Sequence, residues 1–323
     1  MTLLFVLEIL FIILLLIFLL GLKKNVKKEG IKFQYLNEKY HNLTHELNKL
    51  IIAKEKGTKE AKEYAKKKKS IDKDKKNSRT YVLKFNGNVF ATEVNKLREE
   101  ITAVLTIATK NDEVVVCIES PGGTVNGYGL AASQLKRIRD AGIKLTVLVD
   151  KVAASGGYLM ACVGNNIIAS PFAYIGSIGV VSEFANFNRV LTKYGIDYKT
   201  YTAGESKRTV TQFGKITPDG ERRFKERMTK IHDLFKNFVK TYRPKVNIKK
   251  IATGEHWTAS EALHLGLVDK IQASDDYILE KVKNSHVYCI VSETKQGLME
   301  RVIKISLDAL DTKIEEVYNR HQI

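Results

Sequence analysis

Two near-continuous apolar runs constrain this chain more than any other feature. Glu113-Val-Val-Val-Cys-Ile118 and Leu145-Thr-Val-Leu-Val149 carry almost no polar residue on either face of an extended strand. Strands of that kind are buried on both sides, the situation of a parallel sheet covered by helices. Between them, Gly127 to Ala141 repeats Leu130, Leu135 and Ile138 at helical spacing, which predicts a helix with those three side chains inward. Before them, Tyr81-Val-Leu-Lys-Phe85 alternates like a strand, and Glu93 to Thr106 places Val94, Leu97, Ile101 and Leu105 on one helical stripe. Strand, helix, strand, helix in this rhythm gives parallel β-α-β units and an α/β layered fold.

In such sheets, sites form where the loops leave the C-terminal ends of the strands. Two loops do so here, Glu119-Ser-Pro-Gly-Gly-Thr124 and Asp150-Lys-Val-Ala-Ala-Ser-Gly-Gly157. Pro-Gly-Gly turns the chain sharply and leaves backbone N–H groups without side chains over them. Exposed amides of this kind can hold an oxyanion, although a plain turn is the commoner meaning. In the second loop, Ser155 precedes a short helix expected over Tyr158 to Val163. Small neighbours let a substrate backbone approach, and a helix N-terminus favours developing negative charge. A helix N-cap serves as well on this stretch alone.

The N-terminal quarter differs in kind. Residues 3–22, LLFVLEILFIILLLIFLLGL, are apolar apart from Glu8, and twenty helical residues span about 30 Å, the thickness of a bilayer core. With no basic n-region and no small-x-small cleavage site, the run reads as an uncleaved transmembrane anchor. Residues 23–79 form a basic polar linker, partly helical where Leu43, Leu47, Leu50 and Ile51 recur, and charged low-complexity sequence from Ala61 to Ser78. The lysine block before residue 80 supplies much of the net charge of +17. No nucleic-acid-binding motif accompanies it, so nucleic acid is not an expected partner. Cys117, Cys162 and Cys289 lie in apolar surroundings without ligand spacing, which predicts buried thiols and no metal site. No dinucleotide or Walker glycine pattern occurs, and no cofactor is expected.

With both loops in view, the chain resembles the signal peptide peptidase A family of serine peptidases. The resemblance is carried by Glu119-Ser-Pro-Gly-Gly123, Lys151-Val-Ala-Ala-Ser-Gly-Gly-Tyr158 and Ile175-Gly-Ser-Ile-Gly-Val180, in that order. Thr202-Ala-Gly-Glu-Ser-Lys-Arg208, Gly254-Glu-His-Trp-Thr-Ala259 and Gly266-Leu-Val-Asp269 follow. The match runs over residues 80–272, read as the peptidase domain, with 273–323 as a C-terminal extension holding a strand and an amphipathic helix over Leu298 to Tyr318.

The resemblance implies a ClpP/crotonase-like spiral of β-β-α units and a Ser-Lys dyad. In the matching positions Ser155 is the nucleophile, Lys207 the general base and Ser177 a hydroxyl that orients the lysine amine. The backbone N–H groups of Gly122 or Gly123, and of Gly156, match the oxyanion hole. Where relatives often carry tyrosine before the lysine, this chain has Ser206. A lysine with its ordinary pKa near 10.4 is a poor base at neutral pH, and the chemistry requires its removal from water. Peptide or protein substrates and a homo-oligomer are implied as partners. The resemblance also puts the catalytic domain of an inner-membrane, single-pass protein outside the cytoplasm, whereas lysines directly after the anchor favour the inside. Two further classes compete: a silent membrane scaffold of the same fold, and a crotonase-type acyl-CoA enzyme, which would need a carboxylate base instead of a hydroxyl. His232, His256 and His264 have no carboxylate partner at a suggestive spacing and read as structural, and Trp257 reads as a packing anchor.

Overall fold

The computed structural model describes residues 30–55, 57–59, 62–63, 78–204 and 207–293. The apolar run 3–22, the basic stretch 66–76 and the amphipathic segment 298–318 lie outside the described residues. Among the described residues no helix is long and apolar enough to cross a membrane.

In chain order the elements are β1 (Gly30–Tyr35), α1 (Leu36–Glu55), β2 (Arg79–Asn86), α2 (Val94–Leu105), β3 (Glu113–Glu119), α3 (Val125–Asp140), β4 (Lys144–Val149), β5 (Val152–Ala154), α4 (Gly156–Ala161), β6 (Asn166–Ala169) and β7 (Tyr174–Gly176). Then come α5 (Asn188–Lys193), α6 (Pro218–Tyr242), α7 (Ile248–Ile251), β8 (His256–Thr258), α8 (Ala259–His264), β9 (Lys270–Ile271), α9 (Ser274–Asn284) and β10 (His286–Glu293). The main sheet has the order β1-β10-β2-β3-β4-β6-β9 and a second sheet the order β5-β7-β8. From β10 through β2, β3, β4 and β6 to β9, every neighbouring pair is parallel.

The two apolar runs of the sequence become β3 and β4, side by side in the middle of the main sheet, with Val114, Val115, Val116, Leu145 and Val147 fully buried. Burial on both faces is why neither shows a polar alternation. Helix α3 closes over the sheet with Tyr128, Ala131, Ala132, Leu135 and Ile138. Leu130, expected inward, is instead 41% exposed. Five residues separate it from Leu135, about 140° around a helix of 3.6 residues per turn, so both cannot face the sheet. Tyr128 takes the inward place.

The chain passes repeatedly from a strand of the large sheet to a strand of the small one. β4 leads to β5 and then α4; β6 leads to β7. This alternation is consistent with the β-β-α units expected from the resemblance. It places the ends of β5 and β7 beside each other in parallel, with Ala154 opposite Gly176.

The start of α1 is built into the body: Leu36 and Asn37 are buried, and Asn37 accepts from Val287 N–H and donates to the Ser285 and Val282 carbonyls. Farther along the helix, Leu43, Leu47, Leu50 and Ile51 are exposed. Residues 274–293 add α9 and β10, the latter parallel to β2. Cys162 and Cys289 are buried and Cys117 partly so, all as free thiols. Burial pushes the Cys117 thiol up to about 12.

Candidate active site

Strand β5 ends at Ala154, and the next residue, Ser155, has φ 51° and ψ −118°. A positive φ is costly for a residue with a Cβ and is held only where the surroundings determine it. Here Ser155 N–H donates to Gly176 O at 2.8 Å, continuing the β5–β7 pairing one step past the strand. Ser155 makes no capping hydrogen bond to α4, so it is not acting as an ordinary N-cap. The turn presents its half-buried hydroxyl at the start of a buried helix instead.

Ser177 occupies the equivalent place after β7. It too has a positive φ, 52°, and its N–H donates to Glu255 O at 2.6 Å. Because Ala154 and Gly176 are register partners, the two serines leave neighbouring parallel strands together. Trp257 fixes this edge. It pairs with Ile175 across β7–β8, and a Cβ on Gly176 would lie 2.8 Å from its ring. The anchor role expected for Trp257 is the one it has.

The Pro121-Gly122-Gly123 turn lies against the same helix start. Gly122 has φ 94°, and a Cβ there would lie 2.6 Å from Gly156 N and 2.7 Å from Ser155 Cβ. The turn and the first residue of α4 therefore touch backbone to backbone. Gly122 N–H donates to Ser120 Oγ at 3.1 Å. Among the described residues, Gly123 and Gly156 N–H groups have no such acceptor, and Gly123 is exposed.

Beside Ser155 runs an apolar cavity of about 250 Å³. Tyr128, Leu159 and Val180 line one part, and Ile231, Phe235 and Phe238 of α6 another. No carboxylate lines it. His232, one residue from Ile231, is tied by its Nε2 to the Ile178 carbonyl at 3.2 Å, next to Ser177, and is not a partner of Ser155. Of the other two histidines, His256 packs edge-on against Tyr174 and His264 is exposed at the end of α8.

Lys207 does not line this cavity. It lies on an arm in which no described residue from 181 to 219 is buried. The arm carries Tyr201 at 89%, Val181 at 78% and Tyr194 at 71% exposure. Lys207 N–H donates to Gly204 O, but its side chain is exposed and makes no hydrogen bond to Ser155 or Ser177. The apolar surroundings expected for a lysine base do not enclose it within one chain. Ser206, the departure from the family pattern, lies outside the described residues.

Sequence reasoning did not single out Ser120 and Tyr128. They hold the glycine turn through hydrogen bonds of 2.5 Å to each other and 2.8 Å from Tyr128 to Asn88 O. The only sequence signal was the place of Ser120 directly before Pro-Gly-Gly.

A hydroxyl on a strained turn at a helix N-terminus, free amides beside it and an apolar groove alongside make the kind of site that serine hydrolases use. Comparison with known proteins narrows this class. The family description "Peptidase family S49" matches residues 137–288, and "Peptidase family S49 N-terminal" matches residues 1–135. A "Probable protease SohB" of Haemophilus influenzae is 45% identical over 317 residues, 92% of this chain and 90% of that protein. A "Probable protease SohB" of Buchnera aphidicola subsp. Schlechtendalia chinensis is 53% identical over 62% of this chain and 66% of its own length. A "Putative signal peptide peptidase SppA" of Enterococcus faecium is 28% identical over 59% of this chain and 54% of its own. The chain belongs to peptidase family S49, a family of serine peptidases.

Proposed function

We propose that this protein is a membrane-anchored serine endopeptidase in which Ser155 attacks the peptide carbonyl and Lys207 is the base. The observation that carries the reading is the strained placement of Ser155 against the glycine turn, beside an apolar groove. Lys207 Nζ takes the Ser155 hydroxyl proton as Oγ bonds to the carbonyl carbon. The negative charge that forms on the carbonyl oxygen is held by the N–H groups of Gly123 and Gly156, the Gly122 N–H being already given to Ser120. Collapse breaks the C–N bond, and the lysine proton passes to the leaving amine. Water then attacks the acyl-enzyme, losing its proton to Lys207 Nζ, and Lys207 returns that proton to Ser155 Oγ as the ester bond breaks and the carboxylic acid leaves. Ser177, beside Ser155, orients the amine. The apolar lining favours peptides with apolar side chains next to the cut bond, held in extended form.

A lysine serves as a base when it is withdrawn from water, and Lys207 in a single chain is exposed. We therefore propose that the dyad is completed in a homo-oligomer, the exposed apolar arm of one copy bringing Lys207 to Ser155 of another. The run 3–22 anchors the assembly in the inner membrane, with the catalytic domain on the outer side; protease accessibility in sealed spheroplasts tests that orientation. The acyl-CoA reading lacks support because the groove offers no carboxylate base.

The experiment is to co-express full-length Ser155→Ala and Lys207→Ala chains carrying different tags and to assay the mixed complex on a fluorogenic peptide. Each variant alone is expected to be inactive and the mixture active. Cleavage by Ser155→Ala alone would overturn Ser155 as the nucleophile, and a silent mixture would overturn the shared dyad.

A further inference from the structure

Ser120 and Tyr128 are both fully buried and polar, and nothing in the acyl-transfer steps above uses them. Their bonds form a single directed chain. Gly122 N–H donates to Ser120 Oγ at 3.1 Å, the Ser120 and Tyr128 hydroxyls are 2.5 Å apart, and Tyr128 O–H donates to Asn88 O at 2.8 Å. Since the tyrosine proton goes to a carbonyl, the Ser120 proton goes to the tyrosine oxygen, leaving Ser120 Oγ free to accept from Gly122. Each group donates once and none is left unpaired, the condition under which a buried polar network is rigid.

The same tyrosine reaches the other half of the site. A Cβ on Gly156 would lie 2.7 Å from Tyr128 Cβ and Cδ2, so the first residue of α4 rests on the tyrosine ring. At the opposite end, a Cβ on Gly87 would lie 2.5 Å from Ser120 Oγ, so Gly87 leaves the space the network fills. Main-chain bonds add to this frame: Ser120 N–H donates to Val152 O and Ala154 N–H to Ser120 O, at 2.9 and 3.0 Å. Tyr128 thus touches one amide-bearing residue with its ring and controls the turn bearing the other through its hydroxyl.

We propose that Ser120 and Tyr128 are positioning residues that set the spacing between the Gly123 and Gly156 amides, and so the fit of the site to the tetrahedral oxyanion. By occupying the Gly122 N–H, the chain also selects Gly123 as the donor from that turn. The inference rests on the reading of Ser155 as nucleophile. Neither side chain meets the substrate's reacting atoms. Their effect falls on the transition state, where charge develops, and leaves the bound ground state unchanged.

The test uses the full-length, detergent-solubilised protein, with rates expressed per mole of Ser155 titrated by a fluorophosphonate, so that any unfolded fraction is not counted. Tyr128→Phe keeps the ring and removes the hydroxyl; Ser120→Ala removes the other link. Each is expected to lower kcat about tenfold with KM within about twofold, and to weaken a peptide boronate by the same factor. The double variant is expected to be no worse than either single one, because both break the same chain. Unchanged kcat and boronate affinity, a loss confined to KM, or additive losses in the double variant would each overturn the proposal. Ser155→Ala in parallel separates the two ideas: hydrolysis without Ser155 refutes the nucleophile, whereas an inactive Ser155→Ala beside a fully active Tyr128→Phe refutes only the positioning role.

Discussion

Replacing Gly122 by alanine tests the site geometry most directly. The residue has φ 94°, so a Cβ introduces backbone strain of about 1–2 kcal/mol. The new methyl would also sit 2.6 Å from Gly156 N, 2.7 Å from Ser155 Cβ and 2.8 Å from Ala154 O. Ordinary contact distances lie near 3.5 Å, so the turn and the nucleophile helix must separate by about 1 Å. All three atoms belong to backbone or to the nucleophile itself, and none is a flexible chain end that could swing away. A misplacement of that size costs about 10²-fold in rate. Gly142→Ala is the control. It has φ 73°, but its nearest neighbour is the far end of the exposed Lys110 side chain at 3.3 Å, in a loop remote from Ser155. Both variants are expected to lose a few degrees in thermal midpoint, read by scanning fluorimetry, while only Gly122→Ala loses kcat/KM on a fluorogenic peptide, by about 100-fold. If Gly122→Ala keeps kcat/KM within threefold of wild type, the close approach of the turn to Ser155 is not part of the machinery.

Two further outcomes follow from other parts of the molecule. Burial works against ionisation of Glu113, yet bonds from Lys281, Thr146 and Tyr277 outweigh it and hold its carboxyl below the usual range. A depressed carboxylate contributes stability that is present above its unfolded pKa and lost as pH falls through the folded one. Glu113→Gln should therefore cost about 2 kcal/mol at pH 7 and flatten the acid limb of a urea-midpoint-against-pH curve; a parallel shift at all pH values would contradict this. Gly129 lies in α3 on the groove wall, with nothing within 4 Å of where a Cβ would be. Gly129→Leu should raise stability by about 0.5–1 kcal/mol through helix propensity, yet lower kcat/KM for peptides with leucine or phenylalanine before the cut bond more than for alanine. Equal loss on all three peptides would remove the groove from side-chain recognition.

Much of the architecture was readable along the chain because it depends on local periodicity. The apolar runs at 113–118 and 145–149 read as buried parallel strands, and the stripes at 93–106 and 127–141 fall within two residues of α2 and α3. Leu130 escaped because stripe counting ranks side chains by hydrophobicity and gave its place to a leucine, whereas the inward position is held by Tyr128, whose hydroxyl finds partners inside. Ser120 and Tyr128 were invisible as a pair for the same reason: hydrogen bonds between a loop and a helix leave no periodic trace.

Sequence by itself determined which residues could do chemistry: a serine among small neighbours, a Pro-Gly-Gly turn and a lysine in a matching block, ordered along one strand rhythm. Only the tertiary structure decided which of them meet. It sets Ser155 and Ser177 on adjacent parallel strand ends and brings Gly122 against Gly156, because sheet register fixes the distance between residues far apart in the chain. It also leaves Lys207 exposed on an arm with no buried residue among those described. That outcome depends on what the arm packs against, and burial is a property of neighbours in space, which the order of residues does not record.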